Sequence, residues 1–181
     1  MNTLSTNRTK KLVLAALCVA LGMILPMAFH AVPNAGGIFL PMHIPVLLCG
    51  LVCGWQYGLA CGVLAPLLSS LITGMPPAAF LPGMLCELAV YGLVSGLLLY
   101  YVHTGHTTAD LYLALIGAML AGRFTYGVLN AAIFRAGAYS MQLWLTAAFV
   151  TGLPGILVQL LFLPAIVLAL QKSGLVQLRR S

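Results

Sequence analysis

Charged side chains are scarce in this sequence. Of 181 residues, eight are lysine or arginine and two are aspartate or glutamate, so charged residues make up only 6% of the chain. Soluble domains carry about a quarter of their residues as charges. So few charges could not cover a water-facing surface of this size, which excludes an ordinary soluble domain.

The alternation of apolar and polar residues that marks a membrane β-barrel is also missing. Continuous apolar runs, such as 12–26 and 145–170, take its place, and apolar residues make up 62% of the chain. A backbone inside lipid must satisfy its own hydrogen bonds, which a helix does within one segment. The sequence therefore predicts an all-α integral membrane protein.

The few acidic residues leave a net charge of +6, and the basic residues concentrate at the two ends of the chain. Those at the ends are Arg8, Lys10, Lys11, Lys172, Arg179 and Arg180. This distribution follows the positive-inside pattern, which places both termini in the cytoplasm and requires an even number of spans. We expect a multi-pass protein of the cell membrane, with the lipid bilayer and no nucleic acid among its partners.

Six helices fit the apolar runs and the Gly- and Pro-containing breaks between them. They are predicted at 10–29, 42–53, 56–72, 79–102, 110–134 and 142–170, in one transmembrane domain over 1–181. The connections at 30–41, 73–78 and 135–141 would then face outward. A phosphate-binding loop with Gly-Lys-Ser/Thr is absent, so transport driven by ATP would need another subunit to hydrolyse it.

Two ionisable residues lie inside the predicted spans: Glu87 in the fourth helix and Arg123 in the fifth. Ionisable groups are costly in lipid and usually face the bundle interior or a cavity. The two side chains could form an ion pair that only joins their helices, or one or both could face a bound ligand.

Helical spacing adds polar neighbours to this pair and favours the ligand interpretation. Tyr126 and Asn130 follow Arg123 at intervals of three and four residues and share its helical face. Tyr91 follows Glu87 by four residues. A few convergent polar groups are typical of a small-molecule pocket, although tyrosine is also common at membrane interfaces.

Two further residues are candidates for substrate contact. Gln159, in the sixth helix, could face the same cavity or make a helix-to-helix hydrogen bond. His43 opens the second helix between two prolines and could anchor a loop or contact a ligand. The five cysteines lie within apolar runs and are interpreted as small apolar fillers, so no metal site and no cofactor are predicted.

The first helix carries small residues at Ala16 and Ala20, a spacing that permits close approach of another helix. Trp55 and Trp144 fall at predicted helix ends, where tryptophan usually belongs to the interfacial belt.

Five segments carry a family resemblance: RTKK at 8–11, ALCVA at 16–20, FLPMHIPVLLCG at 39–50, LLSSLITGMPP at 67–77 and ELAVYG at 87–92. With them, nearly the full chain resembles the S component, the substrate-binding subunit, of energy-coupling factor (ECF) vitamin transporters. The resemblance implies a six-helix bundle that binds a vitamin or related micronutrient near its outer face. It also implies that the first and third loops close over the substrate.

The same resemblance implies partners and a binding subunit rather than an enzyme. The S component would join a transmembrane T component and two cytoplasmic ATPases, and it would topple in the membrane to release substrate. Ala16 and Ala20 match an Ala-xxx-Ala element that contacts the T component.

Ligand identity stays open at the level of sequence. Arg123 favours a carboxylated ligand, with pantothenate preferred over nicotinate, while a pyridoxine-like ring or folate would also fit. The alternative function is a self-contained secondary transporter or small channel for a small organic solute, which would need internal repeats or broken helices around a central site. An intramembrane enzyme built on Ser69 or Ser70 beside Glu87 or His43 is a third hypothesis.

Overall fold

A computed structural model describes residues 3–28, 35–134 and 140–176. The α-helices in these ranges are α1 (Thr3–Ala28), α2 (Ala35–Phe39), α3 (His43–Cys53), α4 (Trp55–Thr73), α5 (Leu81–Tyr101), α6 (Thr107–Leu129), α7 (Met141–Leu145) and α8 (Leu153–Lys172). Two π-helical segments, Asn130–Phe134 and Thr146–Thr151, follow α6 and α7. No strand occurs within the described ranges. The predicted outer connections at 30–41 and 135–141 fall partly outside them.

Six stretches of these helices are long and apolar enough to cross a membrane. They are Arg8–Ala28, Gly36–Cys53, Trp55–Thr73, Leu81–Tyr101, Thr107–Ile133 and Leu153–Lys172. The predicted fold class, an all-α membrane protein with six spans, is confirmed.

The second span is longer than the predicted helix at 42–53, because it begins at Gly36. Part of the predicted first loop is helical, since α2 ends at Phe39 just before α3 begins at His43. Leu40, with φ at 50°, turns the chain between them. Together they form an 18-residue span, which gives this segment the length that α3 lacks alone.

The sixth predicted helix, 142–170, is wrong as one continuous element. The structure divides it into α7, a π-helical segment and α8, with Gly152 before α8. Pro154 lies in the first turn of α8, where its missing N–H costs no internal hydrogen bond. The same proline would break a helix running through this point.

The bundle is centred on α5, which packs against α3, α4 and α6. Glycines bring α4 and α5 into backbone contact. A Cβ atom on Gly58 would collide with the carbonyl of Gly92, and one on Gly62 with the carbonyl of Leu88. Such close approach through small residues is the usual packing device between helices in lipid. It places the polar face of α5 at the centre of the bundle.

Candidate functional site

His43 of α3 and Arg123 of α6 meet at one carboxylate oxygen of Glu87 of α5. Gln159 of α8 lies at a matching position along its own helix. Glu87 follows Leu81 by six residues, Arg123 precedes Leu129 by six, and Gln159 follows Leu153 by six. Six residues of α-helix rise about 9 Å. On the topology predicted from the basic ends, these three helix ends face outward, and His43 is the outermost residue of α3. We call these four residues the polar layer.

An ion pair joins α5 to α6 within the polar layer. Arg123 Nη1 lies 3.2 Å from Glu87 Oε1, and both side chains are at least nine-tenths buried. The N–H is not aligned as a hydrogen bond, so Glu87 Oε1 still has acceptor capacity. The sequence left open whether these residues pair or face a ligand, and the geometry permits both, because the pairing uses only one corner of the guanidinium.

His43 approaches the same carboxylate oxygen from α3. Its Nε2 lies 3.6 Å from Glu87 Oε1, and its ring meets the ring of Tyr91 edge to face with centroids 5.0 Å apart. Tyr91 also packs on Gly122 of α6, where a Cβ atom would collide with its ring. Tyr91 lies one turn deeper than Glu87 and forms the floor of the polar layer.

The polar layer holds every buried side-chain nitrogen or oxygen atom without a hydrogen-bond partner in the described part of the chain. These atoms are His43 Nδ1 and Nε2, Glu87 Oε1, Arg123 Nε and Nη2, and Gln159 Oε1 and Nε2. Buried polar groups are normally paired, and each unpaired one costs about 1–3 kcal/mol. Their concentration in one layer marks a place where a polar ligand can supply the missing partners.

Trp144 contacts the backbone of Arg123, a contact that the spacing of residues along α6 does not reveal. The indole Nε1–H of Trp144 donates to the Arg123 carbonyl at 3.2 Å. The indole also fits against Gly127, where a Cβ atom would meet it at 2.5 Å. Trp144 is half-buried, and its indole packs against the bundle.

Asn130 and Tyr126 lie on the outer side of Arg123, with Asn130 buried and Tyr126 half-buried. The Asn130 side-chain amide donates to the Tyr126 carbonyl at 2.8 Å. Both side chains approach Gly83 of α5, where a Cβ atom would lie 2.7 Å from Asn130 Nδ2. They fill the space between α5 and α6 on the predicted outer side of the ion pair. Tyr91 lies on the opposite, inner side of the polar layer.

Ser69 and Ser70 do not join the polar layer. Thr73 Oγ1 donates to the Ser69 carbonyl at 2.7 Å, and Ser70 Oγ donates to the Pro76 carbonyl at 2.9 Å. These hydrogen bonds stabilise the end of α4 and the turn after it. Within the described residues, neither serine forms a hydrogen bond with His43 or Glu87.

A sequence model of a protein family matches residues 10–167, and its description is "ECF transporter, substrate-specific component". The chain belongs to this family. A search of curated proteins gave no match. The family assignment makes the protein a multi-pass membrane protein and the substrate-binding subunit of an ECF importer.

For an S component, the assignment also implies a substrate and partners of the T-component and ATPase type. It therefore accounts for the missing phosphate-binding loop. The particular substrate and the residues that contact it are not specified by the family.

Sequence reasoning missed the glycines that shape this site. Gly122 makes room for the Tyr91 ring, and a Cβ atom on Gly152 of the α7–α8 segment would lie 3.1 Å from Arg123 Nη2. Gly155 fits against the Ile38 and Phe39 backbone of α2. A glycine carries no side-chain signal of its partner, and only the loop chemistry of Gly152-Leu153-Pro154 hinted at a break there.

Proposed function

We propose that this S component binds a carboxylated micronutrient in the polar layer, with Arg123 as the principal contact. The observation that supports this is the orientation of the guanidinium. Nη1 faces Glu87, while Nε and Nη2, which point along the other edge, have no partner. Two parallel N–H donors on one edge match the two oxygens of a carboxylate.

The other unpaired groups favour pantothenate among the carboxylated candidates. Pantothenate has one carboxylate, one secondary amide and two hydroxyl groups. The Gln159 side chain, 1% exposed, offers one acceptor and two donors that suit an amide, and His43 offers a ring nitrogen for a hydroxyl. Nicotinate would satisfy Arg123 but has only a ring nitrogen for the remaining groups. Pyridoxine-like rings lack a carboxylate.

Tyr91, Tyr126 and Asn130 complete the proposed site. Tyr91 supports His43 from below, and Tyr126 and Asn130 lie between Arg123 and the outer surface. We propose that the ligand lies among these side chains and the unpaired edge of Arg123. Glu87 holds the opposite corner of the guanidinium, so it fixes the direction in which the free edge points.

The first helix supplies the proposed docking surface for the T component. Ala15, Cys18 and Gly22 face the bundle and are buried, whereas Ala16 and Ala20 are exposed. Because α1 packs on α3 and α4 through its buried face, the exposed pair stays accessible to a partner helix. Two ATPase subunits would complete the importer from the cytoplasmic side.

The test begins with mass spectrometry of small molecules retained by the purified protein, followed by titration with pantothenate and nicotinate. We expect pantothenate to bind and Arg123→Lys to weaken it about 10–100-fold. A lysine keeps the charge but cannot serve Glu87 and a carboxylate with one fixed fork, and a charge-assisted hydrogen bond contributes about 1.5–3 kcal/mol. Unchanged affinity in a folded Arg123→Lys protein would make Arg123 purely structural.

A further inference from the structure

Charge balance in the polar layer changes when a carboxylate enters. Glu87 and Arg123 neutralise each other at 3.2 Å, so the layer has no net charge when His43 is neutral. A bound carboxylate would add one negative charge at a site where both members of the pair are buried. Buried charges without compensation are strongly unfavourable.

His43 is placed to supply the missing positive charge. Its Nε2 lies 3.6 Å from the Glu87 oxygen that Arg123 also approaches, and neither of its ring nitrogens has a hydrogen-bond partner. If a ligand carboxylate takes part of the Arg123 charge, the Glu87 oxygen can accept a hydrogen bond from a protonated His43. Histidine is the side chain that ordinarily gains a proton near neutral pH.

No other described cation lies near the polar layer. The helices packed against α3 are α1, α4, α5, α6 and α8. Glu87 and Tyr91 of α5 face His43, and Arg123 of α6 approaches the same Glu87 Oε1 as His43 does. The basic residues of α1 and α8 are exposed at the predicted cytoplasmic ends: Arg8, Lys10, Lys11 and Lys172. α4 carries no charged residue, and its titratable groups are Tyr57 and Cys61. The buried thiols of α1 and α3 are Cys18, Cys49 and Cys53.

We infer that His43 is a specificity-determining residue that takes up one proton when the carboxylated ligand binds. The inference rests on the proposed function. The proton comes from bulk water, forms an N–H bond on the His43 imidazole and leaves the ligand unaltered. The liganded layer then holds two anions, Glu87 and the ligand, and two cations, Arg123 and His43. A ligand without a carboxylate needs no proton, so the site distinguishes an acid from its neutral analogue.

The experiment is calorimetric titration of the purified protein in detergent with pantothenate and with panthenol, its primary-alcohol analogue. Each titration is run at pH 7.5 in two buffers with different enthalpies of ionisation, which gives the number of protons taken up. We expect about one proton for pantothenate and about none for panthenol. Because uptake of one proton makes binding depend on pH, pantothenate affinity should fall about tenfold per pH unit around pH 7.5.

The variant His43→Gln assigns the proton. It should abolish proton uptake and flatten the pH dependence of pantothenate binding. Panthenol also loses the His43 ring nitrogen as a hydroxyl partner, so its affinity should fall, but by the same factor at each pH. Uptake that persists in this variant would place the proton on Glu87 and overturn the assignment to His43. If the variant does not fold, the wild-type proton count still decides, because pantothenate binding without proton uptake contradicts the inference. Failure of pantothenate to bind would instead refute the proposed ligand, and the inference with it.

Discussion

Removing one member of the Glu87–Arg123 pair should be more damaging than removing both. We choose Glu87→Leu and Arg123→Met, which replace each charged side chain with an apolar one of comparable length, and the double variant. In Glu87→Leu the Arg123 charge stays buried without its partner, and in Arg123→Met the Glu87 carboxylate keeps only His43, at 3.6 Å. In the double variant the layer becomes more apolar and no ionised group is isolated.

The expected loss of unfolding free energy follows from the distance between the two charges. At 3.2 Å and an effective dielectric constant of about 20, the Coulomb attraction is about 5 kcal/mol. Desolvation of the two ions offsets much of this attraction, so the net contribution of the intact pair is small. Loss of one partner exposes the desolvation cost of the other, and each single variant should lose about 3–5 kcal/mol of unfolding free energy. The double variant should lose less than the sum by about 3 kcal/mol.

The assay is reversible unfolding by SDS in mixed micelles, followed by circular dichroism. The matched control is Asp110→Asn, which removes the other carboxylate of the chain. Asp110 lies at the exposed start of α6 and accepts a hydrogen bond from the Thr104 backbone N–H at 2.8 Å. Its effect should be smaller than that of Glu87→Leu and additive with Arg123→Met. Additive losses for Glu87→Leu and Arg123→Met would refute the reasoning, because they would show that the two buried charges do not depend on each other.

Three further variants test other parts of the structure. Ala16→Trp should prevent copurification with the T component while preserving ligand binding, whereas Leu161→Trp, at a position 69% exposed on α8, should preserve both. Trp144→Phe should weaken ligand binding about fivefold in titration calorimetry, because it removes one hydrogen bond of about 1 kcal/mol to the carbonyl of Arg123, the proposed principal contact. Gly155→Ala should lower the unfolding free energy by about 1–3 kcal/mol in the SDS assay, since its Cβ atom would lie 2.8 Å from the α2 backbone. Gly36→Ala is the control, as its Cβ atom meets nothing within 4 Å.

The fold class followed from sequence because lipid leaves few alternatives. Continuous apolar runs and basic ends were enough for six spans and an all-α bundle. The breaks were harder to place. The apolar run continues through Gly152 and Pro154 and so predicts one helix, although proline chemistry favours a helix start there.

The polar layer was partly predictable, because polar residues are rare in a membrane-spanning sequence. Glu87 and Arg123 stand out against an apolar background, and helical spacing links Tyr91 to the first and Asn130 to the second. Spacing within one helix could not show that three helices place a polar residue at the same depth. Nor could it find the contact of Trp144 with Arg123, which joins residues 21 positions apart across a break.

As the proposed ligand site, the polar layer would be selective although it has few side chains. Its unpaired atoms differ in kind: the free edge of Arg123 only donates, Glu87 accepts when ionised, and Gln159 and neutral His43 do both. A ligand must therefore match the layer group by group. An analogue that lacks one match leaves a buried polar atom unpaired, at about 1–3 kcal/mol for each neutral group and more for a charged one. Because these costs fall on separate side chains, two mismatches should already reduce affinity by about 30-fold or more. Selection at this site thus depends on penalties against wrong ligands as much as on attraction to the right one.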